Sequence, residues 1–188
     1  LSFSLFSVIV LLSGMVAAQL PVTTNFEDGT MQGWSARGGV TLANTTEASN
    51  TGIRSLKTTG RTASWQGPQY DVTSLMTNGS RYHVTVWAHL APGEAPASIR
   101  VTVARVLGGT TTYHNVIPDT PVTSGQWVRL SAYYDYAFNH DSLTLYVETA
   151  TGTPSFYIDD FELAYTPLQI QTDIASVYQC WSDYVRVG

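Results

Sequence analysis

The sequence predicts an all-β fold, an antiparallel β-sandwich of the jelly-roll kind, and three observations carry that expectation. Short runs in which apolar and polar residues alternate recur along the chain. Gly, Pro and Asn turns separate them at short intervals, and helical periodicity is almost absent over residues 24–164. Composition agrees: the 188 residues are 44% hydrophobic and 12% charged, with 11 Tyr, 5 Trp and 15 Gly. Aromatic and β-branched residues favour strands, and Gly favours the turns between them.

Taken in order, Asn25-Phe26-Glu27-Asp28-Gly29 is a short acidic segment ending on a turn residue. Glycines then bracket Trp34 and Arg37, and residues 40–42 form a short strand. Asn50-Thr51-Gly52 turns the chain into an alternating run over 55–59, and 61–68 reads as a loop or strand edge around Trp65. Residues 71–75 suit one helical turn, and Asn78-Gly79 is a turn dipeptide.

The longest predicted strand covers 82–90, with Tyr82, Val84, Val86 and Ala88 on one face and His83, Thr85, Trp87 and His89 on the other. Ala91 to Pro96 breaks it. A strand over 99–104 follows, then Gly108-Gly109 as the turn of a hairpin whose second arm is 111–117. Further strands are expected over 126–130, 143–149 and 156–163, about eight or nine in all.

The run Leu143-Thr144-Leu145-Tyr146-Val147-Glu148-Thr149 organises the rest. Leu143, Leu145 and Val147 point to a core; Thr144, Tyr146 and Glu148 point to the other, open face. A phenol and a carboxylate two residues apart suit a neutral sugar, whose C–H face lies on an aromatic ring while its hydroxyls donate to the acid. An ordinary solvated strand face is the competing reading.

Charge narrows the partners. The net charge is −5, with 9 Lys and Arg in total, too few for a phosphate-binding surface, so no nucleic acid is expected. No basic amphipathic stretch points to a membrane surface. Residues 1–18, an apolar run ending in Val16-Ala17-Ala18, read as a secretory signal peptide and place the protein outside the cell. Sequons at Asn44 and Asn78 agree with secretion. The single cysteine, Cys180, excludes an internal disulfide framework.

Catalysis finds little support. No Gly-x-Ser-x-Gly elbow occurs, and the four histidines show no metal spacing. A glycosidase needs two carboxyls about 5–9 Å apart, and no second acid shares the face of Glu148. Asp159 and Asp160 are neighbours and are expected to point to opposite faces. Glu27 and Asp159 or Asp160 could meet at one edge of the sandwich and, with backbone carbonyls, give an oxygen shell for Ca²⁺.

At this point the segments Phe26-Glu27-Asp28-Gly29, Gly33 to Gly38, Arg61 to Gln69, Gly125-Gln126-Trp127-Val128, Tyr146 to Ala150 and Phe156-Tyr157-Ile158-Asp159 form one ordered set. In order and spacing the set resembles the family-22 carbohydrate-binding modules, xylan-binding β-sandwiches attached to family-10 xylanases. The resemblance covers residues 24–164.

Residues 168–188, with Thr172-Asp173-Ile174, Val177-Tyr178 and Tyr184 to Gly188, resemble the opening of a family-10 xylanase. That is a short N-terminal fragment of a (β/α)₈ barrel. A whole barrel needs about 250 residues, so the resemblance implies a chain ending before the catalytic acid/base and nucleophile.

The resemblance implies a non-catalytic, monomeric xylan-binding module of a secreted endo-1,4-β-xylanase, holding the hydrolase on plant cell-wall polysaccharide. A spacer that stabilises the barrel without holding sugar is the alternative. It carries the sugar contacts onto Arg37, Trp65, Tyr113, Tyr146 and Glu148, and a structural Ca²⁺ onto Glu27 and Asp159. The family pattern has another tyrosine where this chain has Thr144. Trp34 and Trp127 are expected in the core, and Trp87 is expected to pack rather than bind.

Overall fold

The computed structural model describes residues 20–167; the segments read as a leader (1–18) and as the start of a barrel (168–188) lie outside the described residues. Eleven strands occur among them. They are β1 (Val22–Thr24), β2 (Ser35–Arg37), β3 (Thr41–Thr45), β4 (Ser55–Thr59), β5 (Gly67–Asp71), β6 (Ser80–Leu90), β7 (Ala97–Leu107), β8 (Thr110–Val122), β9 (Val128–Tyr136), β10 (Ser142–Thr149) and β11 (Phe156–Thr166).

One sheet has the order β3-β4-β11-β6-β9 with β1 alongside β11; the other has the order β2-β5-β10-β7-β8. Every pairing is antiparallel. From β4 to β11 the chain crosses from one sheet to the other at every connection except the β7–β8 hairpin, where Leu107 lies opposite Thr110. Parity drives this layering: each strand has one apolar face, and two such faces shield each other from water.

Leu143, Leu145 and Val147 of β10 meet Val84, Val86, Phe156, Ile158 and Leu163 of the facing sheet in one buried cluster. Each such side chain contributes about 1.5–3 kcal/mol by leaving water. The expected helical turn is a single turn, in which the Leu75 and Met76 N–H groups both donate to the Val72 carbonyl.

Three details depart from the sequence reading, and the place of Trp34 agrees with it. Tyr146 and Glu148 stand on the predicted face of β10 but are only 3% and 8% exposed, Tyr146 with the Arg37 guanidinium over its ring. Trp34 is buried as expected, its indole N–H donating to Thr24 Oγ1 at 3.0 Å. Trp127 is not core; it is half-buried at the surface, stacked 5.3 Å from His89.

Asp159 and Asp160 do not diverge. The register between β11 and β6 slips between Asp159 and Glu162, and Asp160 adopts φ 44°. The bulge turns both carboxylates toward one loop. Asn50 N donates to Asp159 Oδ2 at 2.8 Å, and Asn50 Nδ2 donates to Asp160 Oδ2 at 2.7 Å.

Candidate functional site

The five-stranded sheet presents its outward face as a trough of about 580 Å³, lined by Arg37, Gly38, Trp65, Gln69, Tyr113 and Tyr146. Strand registers assemble it. Tyr146 on the central β10 lies opposite Gln69 of β5 and Thr102 of β7, and Arg37 of β2 lies opposite Gly67 of β5. The Arg37 guanidinium lies 4.0 Å from the centre of the Tyr146 ring. It is also 5.8 Å from the Trp65 ring and 5.9 Å from the Tyr113 ring. Its Nε is buried with no hydrogen-bond partner among the described residues, and three ring faces surround the guanidinium.

Trp65 and Tyr113 are the exposed rings, 47% and 60% accessible, while Tyr146 forms the floor. Two open aromatic faces around a polar floor suit a flat, uncharged, hydroxyl-bearing ring. Burial, reinforced by the nearby Glu148 charge, pushes the Tyr146 phenol up to about 12, so it stays protonated and can donate. Glu148, two residues along β10 on the same face as Tyr146, is 8% exposed and does not line the trough. Its Oε1 accepts from Thr102 Oγ1 at 2.6 Å, and that hydroxyl is also 3.2 Å from Asn115 Oδ1.

Of the five residues assigned to sugar contact, the structure brings Arg37, Trp65, Tyr113 and Tyr146 around one cavity and leaves Glu148 out of its lining, bonded to Thr102. Sequence reasoning gave no role to Gln69 and Gly38, which complete the lining. Gln69 could have been found by extending the alternation through 67–71 instead of ending it as a loop at Pro68. The Trp65 ring edge lies so near Gly38 that an added Cβ would be 3.1 Å from it, and Gly38 itself sits at φ 75°. No carboxylate lines the trough, so the lining offers no pair of acids for glycoside hydrolysis.

Glu27 and Asp159 lie on the other sheet's side and grip one loop. Glu27 Oε1 accepts from Ile53 N at 3.0 Å and Arg54 N at 2.8 Å, and Asp159 Oδ2 from Asn50 N at 2.8 Å and Thr51 N at 3.3 Å. Asp159 is fully buried, and that burial pushes its carboxyl up to about 6 despite the N–H donors. Among the described residues no three His, Cys, Asp or Glu side chains gather as a metal cage. A cation here would therefore need backbone carbonyls as further ligands. No helix among the described residues is long and apolar enough to cross a membrane.

The profile of a family described as "Carbohydrate binding domain" matches residues 18–155. The chain is 35% identical over 152 residues to endo-1,4-beta-xylanase C of Paenibacillus barcinonensis, an alignment covering 80% of this chain and 14% of that protein. It is 32% identical over 168 residues to endo-1,4-beta-xylanase A of Thermoanaerobacterium saccharolyticum, covering 87% of this chain and again 14% of the relative. The chain thus spans about a seventh of the length of these relatives.

Among solved structures, a family-22 xylan-binding domain of a Paenibacillus barcinonensis xylanase superposes with TM-score 0.74 at 36% identity. That match covers 77% of this chain and 92% of that domain. The C-terminal family-22 carbohydrate-binding module of a Clostridium thermocellum xylanase gives 0.73 at 28% identity, covering 79% and 96%. The family match, the sequence identity and the superposition agree, and the chain belongs to the family-22 carbohydrate-binding modules.

Proposed function

We propose that this chain is a non-catalytic xylan-binding module that holds a secreted endo-1,4-β-xylanase on plant cell-wall polysaccharide. One observation carries the reading: Arg37, Trp65, Tyr113 and Tyr146, from four separate parts of the chain, surround a single open trough. A β-1,4-linked xylose polymer is neutral and twisted, and exposed rings offset around a trough can follow such a twist. Xylose lacks the C6 hydroxymethyl group, so a close-fitting trough admits it and excludes glucose. The xylan-binding names of the relatives support the same substrate class.

The catalytic portion would lie beyond the described residues, with 168–188 as the opening of a family-10 barrel and 1–18 as the export signal. The resemblance of those segments is the support for both. Glu27 and Asp159 would hold a structural Ca²⁺ with backbone carbonyls of the loop they grip. The support is that both carboxylates face one loop, Glu27 accepting from Ile53 N and Arg54 N and Asp159 from Asn50 N and Thr51 N.

Affinity electrophoresis in soluble xylan tests the binding reading. Wild-type protein should be retarded. Trp65→Ala should lose about 2 kcal/mol or more of affinity, as expected of a central aromatic anchor, while its melting temperature barely changes because the ring is 47% exposed. Wild-type migration unaffected by xylan would leave the chain as a spacer for its neighbouring domain. Unfolding of Trp65→Ala would make the ring a core residue instead.

A further inference from the structure

We infer that Arg61 is the positioning residue that sets the Trp65 ring, by clamping the two backbone carbonyls on either side of it. The inference rests on the trough being the xylan site. Arg61 does not line the trough; it is only 7% exposed and lies behind the loop that carries Trp65. Its Nη2 donates to the Ser64 carbonyl at 2.6 Å and its Nε to the Gln66 carbonyl at 2.8 Å, so one planar group holds the residues before and after the tryptophan. The same guanidinium ties that loop to the frame. Nη2 also donates to Thr149 Oγ1 at 2.8 Å, at the end of β10, and Nη1 donates to the Pro154 carbonyl at 2.9 Å. The Phe156 ring lies 5.0 Å from it on the core side.

A second clamp closes the loop on itself. Gln66 Oε1 accepts from Thr62 N at 2.7 Å and from Ala63 N at 3.1 Å, and Thr149 N donates to the Ser64 carbonyl at 3.2 Å. Trp65 is thus exposed at its ring while its backbone is pinned on both sides. A ring held in place before the ligand arrives loses little conformational freedom on binding, which is what makes a single exposed aromatic an effective contact.

The geometry is specific to arginine. Four bonds leave three nitrogens of a rigid fork toward acceptors on two separate segments, 64–66 and 149–154. A lysine ammonium is one point with three donors and cannot span them. Burial holds the guanidinium down to about 10, still far above working pH, and Glu148 opposes that shift. Arg61 therefore stays charged and donates at every bond.

The test uses the full chain labelled with 5-fluorotryptophan, read by ¹⁹F NMR, together with xylan affinity electrophoresis. The Trp65 resonance is assigned as the one missing in Trp65→Phe. In Arg61→Lys that resonance should shift or broaden while those of Trp34, Trp87 and Trp127 stay in place. Xylan affinity should fall about tenfold, in the range that lost preorganisation produces. Thr149→Val removes one acceptor and serves if Arg61→Lys does not fold; it should move the same resonance, with a smaller loss.

An unmoved Trp65 resonance, or unchanged affinity in a variant whose Trp65 resonance has moved, overturns the inference. Equal shifts of all the tryptophans overturn it too, since they mark Arg61 as a general structural residue. If wild-type protein does not bind xylan, the proposed function fails, and the ¹⁹F comparison still decides whether Arg61 sets Trp65.

Discussion

Gly67 sits where the backbones of β5 and β10 approach too closely for any side chain. A Cβ built there would overlap the Val147 carbonyl oxygen, which belongs to a ladder and cannot swing aside. Gly67→Ala is expected to force the two strands apart and cost about 3 kcal/mol or more, the upper range for point changes. A urea midpoint equal to wild type would show that the ladder absorbs the methyl group. Gly38 differs in kind: the nearest atoms to an added Cβ are in the side chains of Gln66 and Trp65, and the strain there comes from φ 75°. The shared face of Tyr146 and Glu148 was legible in the alternation over 143–149, and Arg37, Trp65 and Tyr113 through the family resemblance. The depth of Glu148 and the place of Gln69 were not, because both depend on which distant strand pairs with which. Tyr146 lies opposite Gln69 only through a register between strands more than seventy residues apart.

Strands long enough to repeat their alternation were readable: β6 buries Tyr82, Val84, Val86 and Ala88 as expected, with Thr85 buried besides. β10 alternates only as far as Leu145 and is buried from there to Thr149. β1 and β2, at three residues each, are too short to show a period. β9 runs on to Tyr136, well past the expected end at Leu130, because Tyr134 and Tyr136 turn inward and continue the apolar face with aromatic rings.

The strands also set how the molecule responds to acid. His89 on β6 is stacked against Trp127 and Tyr157, whose neighbours Glu47 and Lys57 form an ion pair. His114 on β8 is stacked on Phe138 beside Arg105. Burial pushes both imidazoles below their ordinary 6.5, with Arg105 adding to the shift at His114. The unfolded chain then takes up these protons first, so their contribution is complete above about pH 6.5 and is lost as pH falls below it. Asp159 acts in the opposite sense, since its raised carboxyl favours the folded state on protonation. The readout is therefore the difference between proteins: between pH 7.5 and 5, His89→Gln and His114→Gln should each lose less thermal stability than wild type. Parallel melting curves across that range would assign the acid sensitivity elsewhere.

At the scale of the molecule, the two sheets carry separate tasks. The trough belongs to the five-stranded sheet, and the loop gripped by Glu27 and Asp159 packs on β11 of the six-stranded one. The sequence placed the two acids at one edge but not the loop between them, since nothing local announces that residues 50–54 return to meet β11. If Ca²⁺ occupies this place, it binds the folded chain only, and at a hundredfold excess over its dissociation constant adds about 2.7 kcal/mol. For a domain of this size that corresponds to a melting shift of roughly 5–10 °C. Chelation should lower the melting temperature by that amount, calcium should restore it, and Asp159→Asn should abolish the response. Xylan retention at 25 °C should survive chelation, because the trough lies on the five-stranded sheet and the loop meets β11 of the other. A melting temperature indifferent to calcium would mean that the loop's N–H donors alone hold the two carboxylates, and that the fold closes this edge without an ion.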